Sequence, residues 1–89
     1  MTDGSNALVA TVAMEMGEVL SRGPLAAGDD FFLCGGDSVL AVTLVARLAE
    51  RYALADEEGA NRFRSALLME VFDDASPDAL AAVVERETY

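Results

Sequence analysis

Apolar residues along this chain recur at steps of three and four and nowhere alternate as a strand requires. Leu8, Val9, Val12, Met16, Val19 and Leu20 predict a first helix over 5–21 with Ser5 at its cap. Gly17 inside it costs about 1 kcal/mol relative to Ala, and Gly23-Pro24 ends it, because proline cannot continue a helix and disfavours helical geometry in the residue before it. Leu40, Leu44, Leu48 and Tyr52 fall at four-residue spacing with Ala41, Val45 and Ala49 beside them. That wide stripe is what a core-facing helix needs, so a second helix begins at Asp37 or Ser38. Residues 55–61 read as an acidic linker ending in Gly59-Ala60-Asn61. A short third helix follows over 65–72, carrying Leu67, Leu68, Val71 and Phe72. Ser76-Pro77-Asp78 is a helix-start signature with serine at the cap, proline at the first helical position and an acid facing the positive end of the dipole. It opens a fourth helix with Leu80, Val83 and Val84 inward.

Between the first two helices, residues 23–37 hold four glycines, a proline and Asp29-Asp30. This is a long loop, expected to be pinned to the core by Phe31, Phe32 and Leu33. The fold class is therefore all-α: a four-helix bundle with a long first loop and a short third helix. Its 89 residues make a single domain, 1–89, with a simple core.

Charge and composition narrow the chemistry. Sixteen acidic residues face six arginines, with no lysine, for a formal net charge of −10. Nucleic acid and anionic membrane are excluded as partners by repulsion, whereas proteins with basic patches are favoured. No apolar run reaches the roughly 20 residues of a spanning helix and no basic-then-apolar leader is visible, which reads as a soluble cytoplasmic protein. Without histidine, Ser-His or Cys-His nucleophile activation cannot occur within the chain. The one cysteine, Cys34, excludes an internal disulfide or a cysteine metal site. No metal site is expected.

The informative stretch runs from Asp30 to Leu40: an acid, two phenylalanines, Leu33-Cys34 and then Gly35-Gly36-Asp37-Ser38 before an apolar helix. It resembles the attachment site of the peptidyl carrier proteins of nonribosomal peptide synthesis, and so a four-helix bundle of acyl-carrier type. The likeness continues through Leu44-Val45-Ala46-Arg47-Leu48 and resumes at Val71-Phe72 and Leu80. It implies a carrier that is not itself an enzyme, with 4'-phosphopantetheine covalently attached at Ser38. It further implies amino-acyl or peptidyl thioesters as cargo, and a phosphopantetheinyl transferase, an adenylating enzyme and condensation or tailoring enzymes as partners.

A serine in the first turn of a helix sets its oxygen at the surface, where a phosphodiester meets free backbone N–H groups and the positive end of the dipole. Gly35 and Gly36 lack side chains, which lets an enzyme close over the hydroxyl and permits a sharp loop-to-helix turn. Ser38 could also be an ordinary cap, a role Asp37 fills equally well. Asp37 could in addition make a charge contact with the transferase. Val39 and Val42 lie off the leucine stripe, either as a docking patch or packed on the Phe31-Phe32 loop; Phe31, Phe32 and Phe72 read as core. Departures from the family pattern are Cys34 and Val39 where leucines are usual, Ala75 for a proline, and a longer stretch over 53–65; Cys34 reads as a small buried hydrophobe. An acyl carrier of fatty-acid or polyketide type and an unmodified acidic helical adaptor are the alternatives. The start at Met1 and the end at Tyr89, just past the fourth helix, suggest a free-standing carrier and not a module cut from a synthetase, although an excised fragment would look the same; a monomer is expected.

Overall fold

The computed structural model describes residues 3–52 and 56–88. Four helices follow in order, α1 (Asp3–Val19), α2 (Ser38–Arg51), α3 (Glu57–Asp73) and α4 (Pro77–Thr88), with no strand among the described residues. Helix α1 packs on α2 and α4, and α3 closes the bundle against the same two. One core holds Val12 and Met16 from α1, Leu44 and Leu48 from α2, Phe63 and Leu67 from α3, and Leu80 and Val84 from α4, all fully buried.

Ser5 lies within α1, whose backbone is already helical at Asp3, so it is not the cap. The other end stops before Gly23-Pro24. Ser21 N donates to the Glu18 carbonyl (3.1 Å) and Arg22 N to the Gly17 carbonyl (2.8 Å), with Ser21 in the left-handed region at φ 58. This is a Schellman closure with serine at the position glycine usually takes. Gly17 has its own reason: a Cβ there would lie 2.3 Å from the Gly23 carbonyl oxygen as the chain turns back over the helix.

The third helix is not short. It spans 17 residues, and the expected linker forms its first turns. Asp56 caps it, accepting from Gly59 N (2.5 Å), and Glu57 and Glu58 sit at the positive end of the dipole. Gly59 is buried and continues the four-residue stripe of Phe63, Leu67 and Val71, so it marks close packing and not a break. Ala55, the first residue of that expected linker, lies outside the described residues. Helix α4 begins as read, with Ser76 Oγ accepting from Ala79 N (3.1 Å).

The first loop is held at three points. Leu25 N donates to the Ala13 carbonyl of α1 (3.3 Å), Phe31 N to the Ala75 carbonyl (3.0 Å), and Asp78 N at the start of α4 to the Ala27 carbonyl (3.1 Å). Leu25 and Phe31 are its buried anchors and Phe32 is half-buried. Leu33 is the exception to the expected anchoring: it is 87% exposed, because the turn over 31–35 points it away from the bundle. Gly36 packs directly on Phe31, where a Cβ would fall 2.4 Å from the ring. Cys34 is half-buried against the core, less enclosed than expected.

One buried charge links α1 to α2. Glu15 accepts from Arg47 Nε (2.8 Å) and Arg51 Nε (2.9 Å), and Arg47 also reaches Glu18. Burial pushes the Glu15 carboxyl up, but hydrogen bonds and charge from the two arginines outweigh it and hold the group below its ordinary value.

Three measurements test this account. Ser21→Gly removes the left-handed strain and is expected to stabilise by about 0.5–1 kcal/mol, a rise of several degrees in a thermal melt; an unchanged or lower Tm would contradict the assigned closure. Gly36→Ala forces the Phe31 ring to move and is expected to cost about 1–3 kcal/mol in a urea titration. Because the folded-state pKa of Glu15 is depressed, its contribution is present above the unfolded value near pH 4.3 and lost as pH falls through the folded one. Glu15→Gln should therefore be less stable than wild type at pH 7, with the gap closing in acid below roughly pH 4. A gap independent of pH would disprove the ion-pair account.

Candidate attachment site at the start of α2

The site is built by two successive aspartate caps. Asp30 Oδ1 accepts from Phe32 N (2.8 Å) and Leu33 N (3.1 Å), opening a helical turn that Cys34 N closes on the Asp30 carbonyl (3.0 Å). Gly36 N then donates to the Phe31 carbonyl (3.0 Å), and Gly35, at φ +114, supplies the reversal that redirects the chain into α2. Asp37 caps α2: its Oδ1 accepts from Leu40 N (2.8 Å) and its carbonyl from Ala41 N (2.8 Å).

This settles the competition between Asp37 and Ser38. Asp37 is the cap, and Ser38 is the first helical residue, exposed, with no hydrogen bond to its hydroxyl among the described residues. Its structural duty is already discharged by its neighbour. The roles of the two glycines also separate, for Gly35 provides the backbone reversal and Gly36 the contact with Phe31. No side chain of either stands beside the hydroxyl.

Around Ser38 the surface is apolar. Val39 is 73% exposed and Val42 55%, so neither packs on the Phe31-Phe32 loop. Phe72, expected in the core, is 55% exposed because α3 turns Leu67 and Val71 inward instead. Phe72 stacks on Phe32 (centroids 5.6 Å, interplanar 23°), and Phe32 meets Phe31 edge to face (5.7 Å, 79°). A line of three rings thus runs from the outer face of α3 to the packing under Gly36. Leu33, expected as an anchor, and Met69, which the stripe of α3 left unassigned, are exposed as well. Met69 falls two residues from both Leu67 and Val71, off the buried stripe.

A phosphodiester fits this position. An exposed hydroxyl, a helix N-terminus with N–H groups free of intrahelical partners and side-chain-free glycines before the cap give it room and a favourable field. Asp37 contributes an adjacent negative charge, but its carboxylate is turned to the Leu40 amide.

Residues 8–57 match the family described as phosphopantetheine attachment site. The chain is 34% identical over 80 residues to the phenyloxazoline synthase MbtB of Mycolicibacterium paratuberculosis; the match covers 90% of this chain and 6% of that protein. No solved structure gives a significant match. With more than half of the chain matched, including the whole turn from Asp30 through Ser38 into α2, this four-helix bundle belongs to the phosphopantetheine-attachment family of carrier domains, whose prosthetic group is covalently attached 4'-phosphopantetheine.

Proposed function

We propose that Ser38 is the attachment residue and that residues 1–89 act as one carrier domain in nonribosomal peptide or related biosynthesis. The observation that carries this is the division of labour at the turn: Asp37 caps α2 and leaves the Ser38 hydroxyl exposed and unengaged. Attachment forms a bond from Ser38 Oγ to the phosphorus of coenzyme A that bears the pantetheine. The pyrophosphate bond breaks, adenosine 3',5'-bisphosphate leaves, and the serine proton passes to a base. With no histidine in the chain, that base belongs to a phosphopantetheinyl transferase. When bound, the group supplies a terminal thiol on which acyl groups travel as thioesters.

The chain's own residues then position and present. Asp37 and Gly36 fix the start of α2, the first-turn amides would hold the phosphodiester, and Val39 and Val42 offer apolar contact to partner enzymes. The domain itself catalyses nothing; an adenylating enzyme loads it and condensation or tailoring enzymes unload it. The relative is named for a nitrogen-containing heterocycle, which accords with amino-acyl cargo and not a fatty-acyl chain. No helix among the described residues is long and apolar enough to cross a membrane. A location in the cytoplasm would place the domain with coenzyme A and the activating enzymes.

Incubation with coenzyme A and a broad-specificity phosphopantetheinyl transferase, followed by intact-mass measurement, tests the assignment. Wild type is expected to gain one phosphopantetheine and Ser38→Ala none. A wild type without the gain, or a Ser38→Ala protein with it, would sink the proposal.

A further inference from the structure

The chain passes from α3 to α4 through Asp74, Ala75 and Ser76, and Ala75, Ser76 and the following Pro77 are buried. Backbone groups taken out of water need partners, and here each helix end finds one. Asp74 N closes α3 on the Glu70 carbonyl (2.7 Å), Asp74 Oδ1 accepts from Ser76 N (3.2 Å), and Ser76 Oγ accepts from Ala79 N in the first turn of α4 (3.1 Å). The Asp74 carboxylate is the brace of this link: by bonding the amide two residues on, it fixes the peptide units on both sides of Ala75.

Its place runs against the field of the helix. Asp73 ends α3 and Asp74 caps it, so two acids stand at the negative end of the dipole with no basic residue in the last turn. Helix stability gives no reason for an acid at 74. The bond to Ser76 N does, and a neutral carboxamide would accept that bond equally well.

What the link holds is the first loop. The Ala75 carbonyl accepts from Phe31 N (3.0 Å) and Asp78 N donates to the Ala27 carbonyl (3.1 Å), so two backbone bonds of opposite sense tie residues 27–31 to the entry of α4. Phe31 passes the constraint on. Its carbonyl accepts from Gly36 N (3.0 Å), and its ring fills the space that a Cβ on Gly36 would need. Gly36 adjoins Asp37, the cap of α2, and Ser38 follows. A continuous series of contacts therefore runs from the Asp74 carboxylate through Ala75, Phe31 and Gly36 to the start of α2.

We infer that Asp74 is a positioning residue for the modification of Ser38. By fixing the Ala75 carbonyl it fixes Phe31, and through Phe31 and Gly36 the direction in which α2 presents the Ser38 hydroxyl. The inference rests on the assignment of Ser38. A turn that contains Gly35 at φ +114 and Gly36 has wide backbone freedom unless it is held from outside. A hydroxyl that must meet phosphorus in another protein's active site loses rate steeply when it is misplaced by about 1 Å. An exposed carboxylate could instead serve as a charge contact for a basic partner. The two roles separate at Asp74→Asn, which keeps the hydrogen bond and removes the charge.

Two measurements on the full chain test this: single-turnover modification by excess broad-specificity phosphopantetheinyl transferase at saturating coenzyme A, and amide hydrogen exchange of the unmodified protein. Asp74→Ala is expected to slow the single-turnover step by about tenfold. It should also speed exchange of the Phe31 and Gly36 amides by about fivefold, with the steady-state KM for the carrier within about twofold of wild type. Asp74→Asn should restore both rates. Asp56→Ala removes the cap at the other end of α3, a comparable loss of stability, and should leave both near wild type. Modification of Asp74→Ala at the wild-type rate would overturn the positioning role while leaving the attachment site in place. An Asp74→Asn protein as slow as Asp74→Ala would assign the carboxylate to partner contact instead, and an equally slow Asp56→Ala would reduce the effect to general stability. No mass gain in wild type would remove the Ser38 assignment and this role with it.

Discussion

The attachment turn depends on one contact, the burial of the Phe31 ring beneath Gly36. Phe31 is fully buried, hydrogen-bonds through its amide to Ala75 at the entry of α4 and through its carbonyl to Gly36, and leaves no room for a Cβ on that glycine. A loop of this length would otherwise sample many conformations, each fixed residue costing about 1–2 kcal/mol of backbone entropy. Anchoring one large ring in the core removes that freedom where it matters, two residues before Ser38. Asp37 is then presented to the first turn of α2 in the extended conformation a cap requires.

The same arrangement shows how a domain this small keeps apolar residues out of its core. Bundle packing is satisfied by one stripe per helix, such as Phe63, Leu67 and Val71 on α3 and Leu44, Val45 and Leu48 on α2. Val39, Val42, Met69 and Phe72 lie off these stripes and contribute little to stability. Their exposure is a cost to solubility that a strongly negative surface offsets. Charge also works within the bundle. Glu15 is buried yet satisfied by two arginines from the neighbouring helix, so a lone buried carboxylate is avoided and α1 is set in register with α2.

Much of this was legible along the chain. The four-residue stripe of α2, the Ser76-Pro77-Asp78 start of α4 and the Gly-Gly-Asp-Ser turn are local signals, because each rests on side chains within a turn of one another. Where local signals misled, a distant contact had taken over. Gly59 read as a breaker, but it is buried in the first turn of a 17-residue helix behind an aspartate cap. Gly23-Pro24 read as the stop for α1, but Ser21 closes it earlier. Leu33 read as an anchor and Phe72 as core, and both face solvent.

The sequence by itself determined that the protein is helical, acidic and without the means to activate its own serine, since these follow from periodicity and composition. It could not decide which of Asp37 and Ser38 caps α2, because both residue types cap equally well; the hydrogen bond from Leu40 N to Asp37 decided it. Nor could it say that Gly36 packs on Phe31, or that Val42 of α2 and Leu68 of α3 line one groove. Those facts arise where helices separated in sequence pack together, and one-dimensional spacing carries no information about which face of a helix its neighbours leave uncovered.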